Sequence, residues 1–130
     1  MTSEDVVRRY VDATSAGDGD AAAALTADDG VIVLPNGTEL RGKEGVRQFA
    51  AKHAETDGKK QSVTLTSLDA LTEDRFLATL VMTNRDVAAD ELLYSMDVGG
   101  VIEVRNGLVT SNRVFPSPDE AAAAARRTEL

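Results

Sequence analysis

From Glu91 to Phe115 the chain reads ELLYSMDVGGVIEVRNGLVTSNRVF, and apolar and polar positions alternate along it. The even set holds Leu92, Tyr94, Met96, Val98, Ile102 and Val104, whereas the odd set mixes Ser95, Asp97 and Glu103 with other apolar residues. A period of two marks strands with one face turned inward. Asn106-Gly107 tolerates the positive φ of a tight turn, so the strand ending near Val104 folds back antiparallel onto Leu108 to Phe115. The register beyond that turn has two solutions. A strict two-residue turn pairs Val104 with Val109 and sends Ser111 and Arg113 inward, whereas a three-residue loop or a later bulge sends Asn112 and Val114 inward. Gly99-Gly100 removes a side chain from each face, which predicts a bulge, a bend or a ligand lying against the backbone.

Upstream, Val7, Tyr10, Val11 and Thr14 form the stripe of a first helix from about Ser3 to Ala16, capped by Thr2 or Ser3 and ended by Gly17. Asp18 can cap a second helix, Ala21 to about Ala27, closed by Asp28-Asp29-Gly30. Val31 to Leu34 and Thr38 to Arg41 are short strands joined at Pro35-Asn36-Gly37. After Gly42, Val46, Phe49, Ala50 and His53 share one face of a helix from Lys43 to about Glu55, which points His53 inward. A polar linker, Thr56 to Lys60, leads to a strand from Ser62 to Leu71. Glu73-Asp74 turns the chain into a strand from Arg75 to Arg85, with Phe76, Ala78, Leu80, Met82 and Asn84 on one side. Asp86 to Asp90 is a loop, and Ser117 to Arg127 is an alanine-rich helix or frayed tail with Ser117 or Asp119 as its cap.

The layout is α+β, with helices on one side of a curved antiparallel sheet, and 130 residues suit a single domain, 1–130. A formal charge of −8 opposes binding to nucleic acid or to anionic membrane surfaces. With no cysteine and one histidine, neither a disulfide nor a metal site is expected, and nothing in the sequence calls for a cofactor. The N-terminal MTSEDVVRRY carries acids where a signal peptide needs basic and then apolar residues, and no apolar run is long enough to span a membrane. A cytoplasmic location is the expectation. Leu77, Thr79, Val81, Leu93 and Val101 form an apolar set on the sheet face opposite Phe76, Ala78, Leu80 and Met82 and predict a homodimer through that face.

Tyr10 followed by Gly17-Asp18, the run LTADDGVIVLP, Gly42 opening a helix that contains Phe49, and the closing GVIEVRNGLV resemble the SnoaL-like and ketosteroid-isomerase-like branch of the nuclear transport factor 2 superfamily. That resemblance covers nearly the whole chain and implies a cone in which the curved sheet wraps around helices and encloses an apolar pocket. It rests on scaffold positions, and one scaffold of this kind carries isomerases, cyclases, dehydratases, epoxide hydrolases and noncatalytic modules. Tyr10 matches the tyrosine that donates to a substrate oxyanion in the ketosteroid isomerases. Leu34 falls where those enzymes carry their carboxylate base, and Gly100 where they carry a protonated acid. Without those groups, ketosteroid isomerase activity proper is disfavoured. The Asp-Arg-Asp arrangement of the limonene epoxide hydrolase relatives is also missing, because Val114 follows Arg113 and no inward acid lies between Arg75 and Thr83.

His53 and Tyr10 are the candidate catalytic residues: imidazole titrates near neutrality, and a phenol can donate to a developing oxyanion. The plainer alternatives are a partly exposed histidine at a helix C-terminus and a core tyrosine bonded to backbone. Leu34, Phe49, Met82, Tyr94, Met96 and Val98 are candidate pocket-lining residues that could equally be plain core. Asn84 and Asn112 are amides on an otherwise apolar face and are candidates for orienting a ligand. Two functions compete. One is a small enzyme moving protons on a hydrophobic carbonyl or polyketide-like molecule, in an isomerisation, cyclisation or dehydration. The other is a noncatalytic module holding a small apolar ligand or a protein partner.

Overall fold

In the computed structural model, which describes residues 1–53 and 58–128, the chain runs α1 (Ser3–Ser15), α2 (Gly19–Ala24), β1 (Thr26–Val33), β2 (Glu39–Arg41), α3 (Gly42–Ala51), β3 (Lys59–Ala70), β4 (Arg75–Asp86), β5 (Glu91–Arg105), β6 (Leu108–Phe115) and α4 (Pro118–Thr128). The strands form one sheet in the order β2-β1-β6-β5-β4-β3. The four long strands are antiparallel to one another, as their alternating patterns predict, but β1 joins parallel to β6 and makes the sheet mixed. On the inner face, Phe76, Ile102, Val104 and Val109 meet Val6, Val7, Tyr10 and Val11 of α1 and Val46 of α3 in one buried cluster. The apolar stripe of α1 explains this docking, because Val6, Val7, Tyr10, Val11, Ala13 and Thr14 are buried while Glu4, Arg8, Arg9 and Asp12 face solvent.

Two elements differ from their sequence patterns. The second helix ends at Ala24 and not near Ala27, and the following strand starts at Thr26, so Asp28 and Asp29 lie within β1 instead of closing a helix. Local bonds decide this: the Thr26 hydroxyl donates to Ala22 O at 2.8 Å, and Leu25 O accepts from Val109 N at 2.8 Å. The chain is thereby taken into the sheet as soon as the helix stops. Between the pairs Thr26↔Val109 and Val31↔Ser111, β1 has more residues than β6, and the exposed pair Asp28 and Asp29 sits on that excess. The third helix ends at Ala51 with Lys52 and His53 in a turn, and β3 begins at Lys59, inside the predicted linker; the rest of the predicted continuation to Glu55 and the start of the linker at Thr56 lie outside the described residues.

The fourth helix corrects the expectation that helices gather on one side. α4 forms, capped by Ser117, whose hydroxyl accepts from Glu120 N at 3.2 Å, and it packs on the outer face of the sheet. Gly99 is the point of closest approach: a Cβ added there would lie 2.6 Å from the Ala121 Cβ and 3.1 Å from the Pro118 Cα. Gly100 faces the opposite way, towards Asn112. The glycine pair carries no shift of pairing with β4, so it is neither a bulge nor a register break. Val101, one of the residues expected at a dimer contact, is 5% exposed. It shares an outer hollow with Ala124 of α4, so part of the apolar outer face is covered within the chain itself. No helix among the described residues is long and apolar enough to cross a membrane.

Replacing Gly99 by Val forces α4 off the sheet and is expected to lower unfolding free energy by about 1–3 kcal/mol, the usual cost of overpacking. Gly100→Ala meets its nearest atom at 3.4 Å, ordinary contact distance, and is expected to cost much less. Chemical denaturation of both variants reads the difference; equal losses would mean that α4 does not rest on Gly99.

Candidate active site

Asn106 and Gly107 take φ of 54° and 78° and make a two-residue turn that pairs Val104 with Val109. The pairing then shifts by one: Glu103 faces Ser111, which leaves Thr110 as the extra residue of a bulge, and Ile102 faces Asn112. The tight turn and the later bulge therefore both occur. The bulge is what turns Asn112 inward, since a one-residue slip exchanges the faces of a strand. Asn112 is buried, and its Nδ2 donates to the Tyr10 hydroxyl at 3.1 Å. Burial drives the Tyr10 pKa well above its ordinary value, and the Asn112 bond opposes that shift only in part. The phenol stays protonated, and with its oxygen already accepting from the amide its own proton remains to be donated.

These two residues border a cavity of about 420 Å³ that is largely apolar. α1 contributes Tyr10, Val11 and Thr14, the β1–β2 turn contributes Leu34, Pro35 and Asn36, and Phe49, Lys52 and His53 come from α3 and its end. The sheet supplies Gln61, Val63, Leu80, Met82, Met96, Val98 and Ile102, with Gly99, Gly100 and Asn112 to Pro116 closing the remaining side except for Arg113. Of the candidates read from the sequence, Tyr10, His53, Leu34, Phe49, Met82, Met96, Val98 and Asn112 meet at this one cavity. Asn84 and Tyr94 do not line it. They belong to the row in which Asn84 pairs with Gln61 on one side and Tyr94 on the other, and of that row only Gln61 reaches the cavity, while Tyr94 is 46% exposed.

Gln61 is a lining residue that the sequence reading passed over. Carrying the alternation of Leu65 and Val63 one step back turns it inward, but it lies between the linker ending at Lys60 and the strand expected from Ser62. Lys52 carries no such signal, because it lies off the apolar stripe formed by Val46, Phe49, Ala50 and His53. Gly100 and Leu34, where the resemblance places acid and base carboxyls, both face the cavity, and no Asp or Glu among the described residues lines it.

His53 is 3% exposed and stacks edge-on to Phe49, ring centroids 5.3 Å apart. Its Nδ1 lies 3.2 Å from Phe49 O. A carbonyl can only accept, so this bond sets Nδ1 as the protonated nitrogen and leaves the lone pair on Nε2. Burial is the largest influence on its pKa and lowers it from 6.5; the Phe49 carbonyl opposes that shift, and the nearby Lys60 and Lys52 add to it. The imidazole is thus neutral at pH 7 and able to take a proton.

The same shift makes His53 a term in acid stability. Above pH 6.5, its ordinary pKa, both folded and unfolded chains hold it neutral. As pH falls through that value the unfolded chain takes up the proton first, so stability declines until the lower folded pKa is reached and then levels. Melting curves between neutral and mildly acidic pH are expected to show this decline in the parent and to lack it in His53→Gln. An identical slope in the two would place the acid sensitivity elsewhere.

Residues 7–112 match the family model described as a SnoaL-like domain. Among curated protein sequences, none matches the chain. Solved structures share the fold. A candidate polyketide cyclase from Xanthomonas campestris superposes with a TM-score of 0.71 at 22% identity, over 95% of this chain and 96% of that one. The Δ5-3-ketosteroid isomerase of a Mycobacterium species gives 0.68 at 19% identity, over 92% and 96%. A Mycobacterium tuberculosis protein in complex with estradiol-17β-hemisuccinate gives 0.69 at 21% identity, over 88% and 94%. With that domain matched over most of its length and this sheet and cavity, the chain belongs to the SnoaL-like family of nuclear transport factor 2-like folds.

Proposed function

We propose that the cavity binds a small hydrophobic carbonyl compound and moves a proton on it, with His53 as the base and Tyr10, held by Asn112, as donor to the developing oxyanion. The observation that carries this reading is the complementary state of the two groups on one apolar cavity. One is a phenol kept protonated by burial; the other is an imidazole kept neutral, with Nδ1 committed to Phe49 O. In an enolisation, Nε2 of His53 would take the proton from carbon while the Tyr10 hydroxyl donates to the oxygen that gains charge. Among the described residues, no carboxylate lines the cavity to compete as base or to repel an enolate. Neighbours described as a candidate polyketide cyclase and a ketosteroid isomerase agree with this class of chemistry.

The same missing carboxylates favour a second reading, in which the cavity only holds its ligand. A ligand-independent assay separates the two. In D2O, an alkyl methyl ketone added to the protein is expected to exchange its α-protons faster than in buffer. His53→Ala should abolish the acceleration, and Tyr10→Phe should reduce it on the order of a hundredfold. The rate should fall with decreasing pH through a midpoint under 6.5. A ketone that binds without any accelerated exchange would make the protein a binder and not an enzyme.

Assembly as a homodimer belongs to the same proposal, through the part of the outer face that α4 leaves open, where Thr79 and Val81 are half-buried and Leu93 is 44% exposed. Sedimentation at micromolar concentration is expected to give twice the chain mass, and a monomer would remove this part of the proposal.

A further inference from the structure

At one end of the cavity, the inner face of the sheet carries two amides side by side, of which Gln61 lines the cavity and Asn84 does not. Gln61 on β3 and Asn84 on β4 are register partners, and Asn84 follows Met82 on the same face of its strand. Each has an unmet capacity. The Asn84 Oδ1 is buried and accepts no hydrogen bond, whereas Gln61 Nε2 spends a proton on the Met82 sulfur at 2.8 Å, a weak acceptor. Buried amide oxygens are normally paired, so a free one beside a cavity calls for an explanation. Side chains directly opposite on neighbouring strands have Cβ atoms about 4.5–5.5 Å apart, and terminal amide torsions are soft, so both groups can address one atom between them. Gln61 itself lines the cavity, and Asn84 beside it can bring Oδ1 to that space by turning its terminal amide.

We propose that Gln61 and Asn84 form a second polar subsite, at the mouth of the cavity, that takes an alcohol hydroxyl at the end of the ligand remote from Tyr10. It rests on the reading that the cavity holds a hydrophobic carbonyl compound, and it narrows that class to molecules with a carbonyl at one end and a hydroxyl at the other. A hydroxyl meets both groups at once, its proton going to Asn84 Oδ1 as the amide turns towards the cavity and its oxygen accepting from Gln61 Nε2, which thereby leaves the sulfur. A ketone or ether oxygen would leave Asn84 unmet, and a carboxylate would set further acceptors against it. An ammonium would leave Gln61 without an acceptor. Met82 and Met96, paired across β4 and β5, form the apolar section between this mouth and the inner part of the cavity.

The test is calorimetric titration of the protein with alkyl methyl ketones of graded chain length and with their ω-hydroxy counterparts. In a merely apolar mouth the terminal hydroxyl weakens binding, because it must leave water. The subsite instead predicts that, at the length that reaches it, the hydroxy ketone binds about tenfold more tightly than the plain ketone. Asn84→Leu and Gln61→Leu are each expected to bring the ratio of the two affinities to one or below. Asn84→Leu should also melt no lower than the parent, since it removes an unsatisfied buried acceptor. Equal or weaker binding of the hydroxy ketone at every length overturns the subsite while leaving the cavity reading intact. If neither series binds, the cavity reading fails and the subsite falls with it. An advantage that persists in both variants assigns the hydroxyl to other residues and overturns the proposal.

Discussion

The hydrogen bond between Asn112 and Tyr10 joins the last strand to the first helix across almost the whole chain, and it exists only because β6 carries one extra residue at Thr110. Were the pairing continuous from the Asn106-Gly107 turn, Ser111 and Arg113 would point into the cone. A guanidinium would then have to be buried beside a phenol with no carboxylate to pair it. The bulge sends Arg113 outward and turns a neutral amide to the tyrosine. Ladder continuity is given up locally, and in return the inner end of the cavity is built from groups that are neutral, bonded and able to act on a ligand.

The pair Gly99-Gly100 has a comparable part on the two faces of β5. On the outside, the missing side chain at Gly99 lets Ala121 of α4 close on the sheet and covers apolar surface that would otherwise need a partner. On the inside, the missing side chain at Gly100 leaves room beside Asn112. The same two residues thus seal one face and keep the other open, which is how a sheet bearing helices on both sides can still enclose a space.

Electrostatics within the cavity are set by desolvation more than by ion pairing. Among the described residues the acidic side chains lie outside the cavity, and the titratable groups that line it are Tyr10, Lys52 and His53. Burial favours the neutral form of both the phenol and the imidazole, although it moves their pKa values in opposite directions. A site of this kind accommodates an uncharged ligand without counter-ions, and it can stabilise a developing negative oxygen through hydrogen bonds already in place.

Local pattern was enough to read the helical stripes, the period-two strands, the Asn106-Gly107 hairpin, the Pro35-Asn36-Gly37 turn and the capping residues, because each is decided by neighbours a few positions away. It also brought Tyr10, His53, Leu34, Phe49, Met82, Met96, Val98 and Asn112 forward as candidates, since inward-facing positions follow from periodicity. Pattern could not decide where Thr26 would sit, because the bond that draws Leu25 into the sheet comes from Val109, far along the chain. It could not choose the register of β6, because both solutions obey the same alternation until Asn112 finds Tyr10. Nor could it separate Met96, which lines the cavity, from Tyr94 two residues earlier on the same face. Where a cavity ends depends on which strands continue beside it, and β6 stops at the partner of Gly99 while β4 and β5 run on. Periodicity is a property of one segment, whereas register, coverage and enclosure are properties of pairs of segments, and only the assembled tertiary structure contains them.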